Sequence, residues 1–95
     1  MEKEEKLDLV INSEDEQYAI LKLAEELAEL QEVLIKLITK PQGREDRQQH
    51  LIEEMGDVKL RMKIVIAKLE IKKQVSAREE DKLSQLADWY NKVEV

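Results

Sequence analysis

The sequence predicts an all-α fold, a helical bundle of two long antiparallel helices plus shorter terminal helices, completed by oligomerisation. Three observations predict it. Charged residues make up 40% of the 95 positions, and only 2 Gly and 1 Pro interrupt them, which suits long solvated helices with few turns. Aromatic residues are 3%, too few for the half-buried strands of a sandwich. Apolar residues recur at helical spacing through both central segments. A chain of this length builds one modest core, so residues 1–95 read as a single domain. A core that small favours a second copy of the chain, as a dimer or tetramer.

Each element follows in order. Residues 1–12 read as a short, weakly ordered N-terminal segment with a break at Asn12-Ser13. Ser13 followed by Glu16 has the form of a capping box, and Glu14 and Asp15 favour the positive end of a helix. A long helix then runs to about Thr39. Pro41 disfavours helix in the residue before it, and Gly43 frees the turn. A second long helix starts near Arg44 to Asp46 and runs to about Gln74. Ser76 with Glu79 repeats the capping-box pattern, and a last helix follows to about Lys92.

Wheel positions place the faces. On the first long helix Leu23, Leu27, Leu30, Leu34 and Ile38 form one apolar stripe, widened by Ile20 and Ala24. Glu26 lies beside Leu30, Val33 and Leu37, at the edge of apolar surface, where a carboxylate is costly unless a cation or donor compensates it. The second long helix carries two apolar stripes. One is Leu51, Met55, Val58, Met62, Val65 and Leu69; the other is Leu60, Ile64, Ala67 and Ile71. Two stripes imply two packing neighbours. The polar strip between them, His50, Glu54, Asp57, Arg61 and Lys68, would line the groove where those neighbours meet, a common place for ligand sites in bundles.

Composition also excludes function classes. A net charge of −6 and a pI near 4.9 argue against direct nucleic-acid binding, which relies on basic patches. The absence of cysteine removes disulfides, thiolate nucleophiles and zinc–thiolate sites. No apolar run approaches membrane-spanning length. The opening MEKEEKLDLV lacks the apolar stretch of a signal peptide, so a cytoplasmic location is the expectation. There is no Walker loop, no GxGxxG and no Ser/His/Asp arrangement. His50 is the one histidine, which cannot supply the His pair of a di-iron bundle from a single chain.

Chemistry therefore rests on two acidic clusters: Glu25, Glu26 and Glu29 in EELAE, and Glu53, Glu54 and Asp57 in EEMGD. Residues three or four apart share a helix face, so Glu26 with Glu29 and Glu54 with Asp57 form two carboxylate pairs, one per helix. If the pairs converge they repel unless a cation lies between them. Hard oxygen ligands suit Mg²⁺ or Mn²⁺, and with such an ion metal-assisted phosphate chemistry. Gly56-Asp57 strengthens the second cluster, because neither residue favours a helix interior. Arg44 and Arg47 flank the start of the second long helix, and Arg is geometrically suited to phosphate. Each cluster alone also fits an ordinary solvated face, in which Lys22 and Lys36 pair with Glu25, Glu29 or Glu32.

Read together, Glu25-Glu26-Leu27-Ala28-Glu29 and Glu54-Met55-Gly56-Asp57, on either side of a helix-turn-helix spacer, resemble the MazG-like superfamily of all-α nucleoside triphosphate pyrophosphohydrolases. The stretches EDEQYAILKLAEELAELQEVLIKLITK and HLIEEMGDVKLRMKIVIAKLEI are similar to its compact phage and bacterial members. The resemblance implies Mg²⁺ ligands at Glu26, Glu29, Glu54 and Asp57, and a supporting acid, Glu25, that helps orient or deprotonate the attacking water. It implies hydrolysis of an NTP or dNTP to the monophosphate and pyrophosphate. Gln17 matches a glutamine that would contact base or sugar, and Lys22, Arg44, Arg61 and Lys68 are candidate triphosphate contacts. The alternative is a non-catalytic helical oligomerisation or interaction module.

Overall fold

The structure is a computed structural model that describes residues 1–40 and 42–93, without the side chains of Arg44 and Val93. Four helices follow one another: α1 (Lys3–Ser13), α2 (Glu16–Thr39), α3 (Arg44–Leu69) and α4 (Lys72–Val93), with no strand among the described residues. The all-α expectation holds. Helix α2 ends and α3 begins where expected, although Pro41 lies outside the described residues. Gly43 takes φ +74° at the start of α3, in the left-handed region that glycine enters at little cost.

Three boundaries differ from the sequence expectation, each for a local reason. Asn12 and Ser13 belong to α1 and do not break it. The Ser13 hydroxyl donates back to the Leu9 carbonyl at 2.6 Å, which satisfies it within the helix. The cap of α2 is then Asp15, whose Oδ1 accepts from the Tyr18 amide at 2.7 Å. A carboxylate there adds charge to the hydrogen bond at the positive helix end. Helix α3 stops at Leu69, short of Gln74. Glu70 adopts φ +55°, its amide reaches the Ala67 carbonyl, and the Ile71 amide reaches the Ile66 carbonyl, both at 3.2 Å. That pair of bonds is a Schellman closure, here built without glycine. Helix α4 therefore begins at Lys72, and Ser76 and Glu79 lie inside it. With 22 residues, α4 is nearly as long as the two central helices.

Helices α2 and α3 form an antiparallel pair. Glu14, just before α2, meets Arg61, while Lys36, near the end of α2, shares a pocket with Arg47 at the start of α3. The face of α2 turned inward carries Ala19, Leu23, Glu26, Leu30, Val33 and Leu37, all buried or half-buried. Opposite it α3 presents Leu51, Glu54, Val58, Arg61 and Val65. Helix α1 packs on the other flank of α3, where Leu7, Val10 and Ile11 close over Ala19, Ile64 and Val65. The two neighbours expected for α3 are thus α2 and α1.

Of the apolar stripe expected on α2, only Leu23 and Leu30 lie on its buried face. Leu27, Leu34 and Ile38 are 46%, 41% and 84% exposed, because the inward face is centred one position round, on the 19-23-26-30-33-37 repeat. Met55 and Met62 of α3 are exposed as well. These stripes lie about 80° round each helix from its buried face. Because the helices run antiparallel, both stripes turn to the same side and make one apolar surface. Glu29 and Asp57 turn to the opposite side. Beyond its first turns α4 projects from the end of α3, with every residue from Ser76 to Lys92 exposed. Among the described residues the buried apolar core is only Ala19, Val33, Val58, Ile64 and Val65.

Candidate metal centre

The inward repeat of α2 places a glutamate, Glu26, where an apolar residue would ordinarily pack, and α3 places Glu54 opposite it. Glu54 is the only buried charged residue among those described, at 8% exposure. Glu29 lies one turn beyond Glu26 at the open side of the groove. Carboxylate oxygens of Glu26, Glu29 and Glu54 come within 4.8 Å of one another. Oε2 of Glu26 and Oε2 of Glu54 are both shielded from solvent and have no hydrogen-bond partner. His50 Nε2 lies 3.4 Å from Glu54 Oε1.

Electrostatics follow from that geometry. Burial pushes the Glu26 carboxyl above the usual glutamate range. The negative charges of Glu29, Asp57 and Glu54 push it further. A carboxyl pushed upward by burial and like charges is one whose charge lacks a counterion. Oxygen-only donors, unpaired and partly withdrawn from water, have the composition of a hard divalent-cation site. Three carboxylates and no thiolate do not favour a softer metal.

The other sequence candidates distribute unevenly. Asp57 is exposed and close enough for its charge to act on Glu26, but it stands outside the three-carboxylate cluster. Glu25 points away from the groove and accepts from Lys22 Nζ at 3.1 Å, and the same ammonium lies 5.4 Å over the Tyr18 ring. Arg61 is engaged, its Nη1 held by both Glu14 oxygens at 2.7 and 2.8 Å. Gln17 is exposed in the first turn of α2, and Lys68 is half-buried three turns beyond Asp57. The Arg44 side chain lies outside the described residues.

Lys36, Arg47 and His50 line a pocket of about 220 Å³ together with Glu29 and Glu54; the sequence offered Arg47 for phosphate and put His50 in the groove strip, and read Lys36 only as a surface ion-pair partner. The signal was present: Arg47, His50 and Glu54 follow an i, i+3, i+7 spacing that puts them on one helix face. No described helix is long and apolar enough to cross a membrane. Comparison with protein-family models, curated proteins and solved structures gives no match.

Proposed function

We propose that this chain is a Mg²⁺-dependent nucleoside triphosphate pyrophosphohydrolase of the MazG-like type, working in the cytoplasm as a homo-oligomeric helical bundle. Its substrate is an NTP, with a dNTP preferred, and its products are the nucleoside monophosphate and pyrophosphate. One observation carries this: Glu26, Glu29 and Glu54 converge from two helices within 4.8 Å, while buried oxygens of Glu26 and Glu54 lack any partner. Such an arrangement is unfavourable by itself and becomes favourable with a divalent cation. Mn²⁺ suits the same donors.

When bound, the ion supplies charge neutralisation for the phosphates and a bound water of lowered pKa. The chain's own residues do the rest. Glu26 and Glu54 form the shielded floor. Glu29 and the neighbouring Asp57 face the open side, where a nucleotide enters. A role for Glu25 in preparing the water requires its carboxylate to leave Lys22, which costs little because the pair is exposed. Water adds to the α-phosphorus in line, the bond to the β-phosphate oxygen breaks, and pyrophosphate leaves.

The apolar surface of Leu27, Leu34, Ile38, Met55 and Met62 supports the oligomer, since a monomer with so thin a core leaves it open to water. The same surface favours a second reading, a non-catalytic oligomerisation module. Hydrolysis by a Glu54→Gln variant separates the two. Wild type should turn over nucleotide with Mg²⁺, and the variant should lose that activity while keeping its helical circular dichroism. Wild-type turnover in a folded Glu54→Gln protein would remove the site assignment.

A further inference from the structure

Past the acids, the α2–α3 groove continues toward the loop that joins the helices, and there basic side chains join the acidic ones. The pocket of about 220 Å³ is lined by Glu29, Glu32 and Glu54 together with Lys36, Arg47 and His50, with His50 beside Glu54. Arg47 also borders a second opening beside Lys40. On a chain of net charge −6, this sets two cations, Lys36 and Arg47, beside the carboxylate cluster. Arg47 Nη1 is shielded from solvent and has no hydrogen-bond partner, so a charged donor with a marked cost of burial is left waiting for an acceptor. Lys36 pairs with Glu32 at 3.0 Å, but that pair is exposed and readily exchanged for a better anion.

Spacing matches the chemistry. Arg47 and Glu54 are seven residues apart on one helix, which places them on the same face and about 10 Å apart along the axis. A phosphate chain whose first phosphate sits at the acids runs along that face to the guanidinium, whose planar fork suits phosphate oxygens. We infer that Arg47, with Lys36, forms an anion subsite for the β- and γ-phosphates of the nucleotide and for the pyrophosphate that is released. The inference rests on the acids being a divalent-cation site. Glu29, Glu32 and Glu54 surround the same pocket, so the anion enters only with the cation. With the phosphates toward the α2–α3 loop, the nucleoside lies on the α1 side, toward Lys22.

Calorimetric titration of the full chain with inorganic pyrophosphate in excess Mg²⁺ tests this. Arg47→Ala should weaken pyrophosphate binding roughly tenfold or more, and Arg47→Lys should fall between. Both should keep the Mg²⁺-induced rise in melting temperature and raise KM for nucleotide. Pyrophosphate affinity within about twofold of wild type in folded Arg47→Ala overturns the subsite. If Arg47→Ala does not fold, Arg47→Lys and Lys36→Ala decide it in the same way, because Lys36 is exposed. A wild type that binds pyrophosphate through Arg47 but hydrolyses no nucleotide keeps the subsite and loses the pyrophosphohydrolase. Turnover with product inhibition insensitive to Arg47 loses the subsite alone. No binding of Mg²⁺ or pyrophosphate overturns both.

Discussion

Replacing Glu54 with glutamine should stabilise the metal-free protein, the opposite of what most substitutions at a buried position do. Two full charges 4.8 Å apart, the outer limit of the cluster, repel by about 0.9 kcal/mol in water and about 3.5 kcal/mol at an effective dielectric of 20. Glu54 faces both Glu26 and Glu29, but Glu29 is exposed and the pair is open to solvent on one side, so the relief lies toward the lower end, about 1–2 kcal/mol. The glutamine amide also brings a donor to the unpaired Glu26 oxygen. The lost contact to His50, at 3.4 Å and with an exposed imidazole, is worth little. For a domain of this size the melting temperature should rise by about 4–8 °C per kcal/mol. With Mg²⁺ at about 100 times its Kd, wild type should gain about 2.7 kcal/mol by mass action, and the variant should gain far less. The assay is a pair of thermal melts at one protein concentration, with and without Mg²⁺. A destabilised metal-free Glu54→Gln, or an equal Mg²⁺ response in both proteins, would refute the electrostatic account.

Other outcomes follow from the same structure. The folded pKa of Glu26 lies above its unfolded value, so the native state holds the extra proton. Its contribution to metal-free stability therefore falls as pH rises from the ordinary glutamate range through that raised pKa. The difference in urea midpoint between Glu26→Gln and wild type should grow as pH rises from about 4.5 toward about 7, and a difference independent of pH contradicts it. Arg61→Ala should cost about 2 kcal/mol, because it leaves the Glu14 carboxylate, 14% exposed, without its partner. Faster amide exchange across Lys3–Ser13 would show α1 loosened, whereas unchanged stability would mean the pair does not hold α1. Glu70→Gly should stabilise by about 0.5–1 kcal/mol by relieving a left-handed non-glycine residue. A loss of stability in urea titration would show that the Glu70 side chain matters more than its backbone.

Much of the fold was legible because helix periodicity and the scarcity of breakers act locally. The α2–α3 turn could be read from Gly43 for the same reason. The α3–α4 turn could not, because a glutamate occupies the left-handed position that glycine usually marks. Which face of α2 turns inward was also hidden. Its apolar residues wrap more than half the helix, and only pairing with α3 selects the repeat that contains Glu26. That selection is what brings Glu26, Glu29 and Glu54 together, and it leaves Leu27, Leu34 and Ile38 outside. Spacing alone put Glu26 and Glu29 on one face, and Glu54 and Asp57 on another. It could not show that Asp57 stands off the cluster, that Glu14 engages Arg61, or that Nη1 of Arg47 is shielded and unpaired, since each depends on which segments meet across the groove.

The most direct test of the central claim is a panel of all NTPs and dNTPs incubated with the wild-type chain, with and without Mg²⁺, and the products separated by charge. The account predicts Mg²⁺-dependent release of nucleoside monophosphate and pyrophosphate from at least one nucleotide. Orthophosphate as the first product, or no turnover together with no Mg²⁺-induced stabilisation, would contradict it.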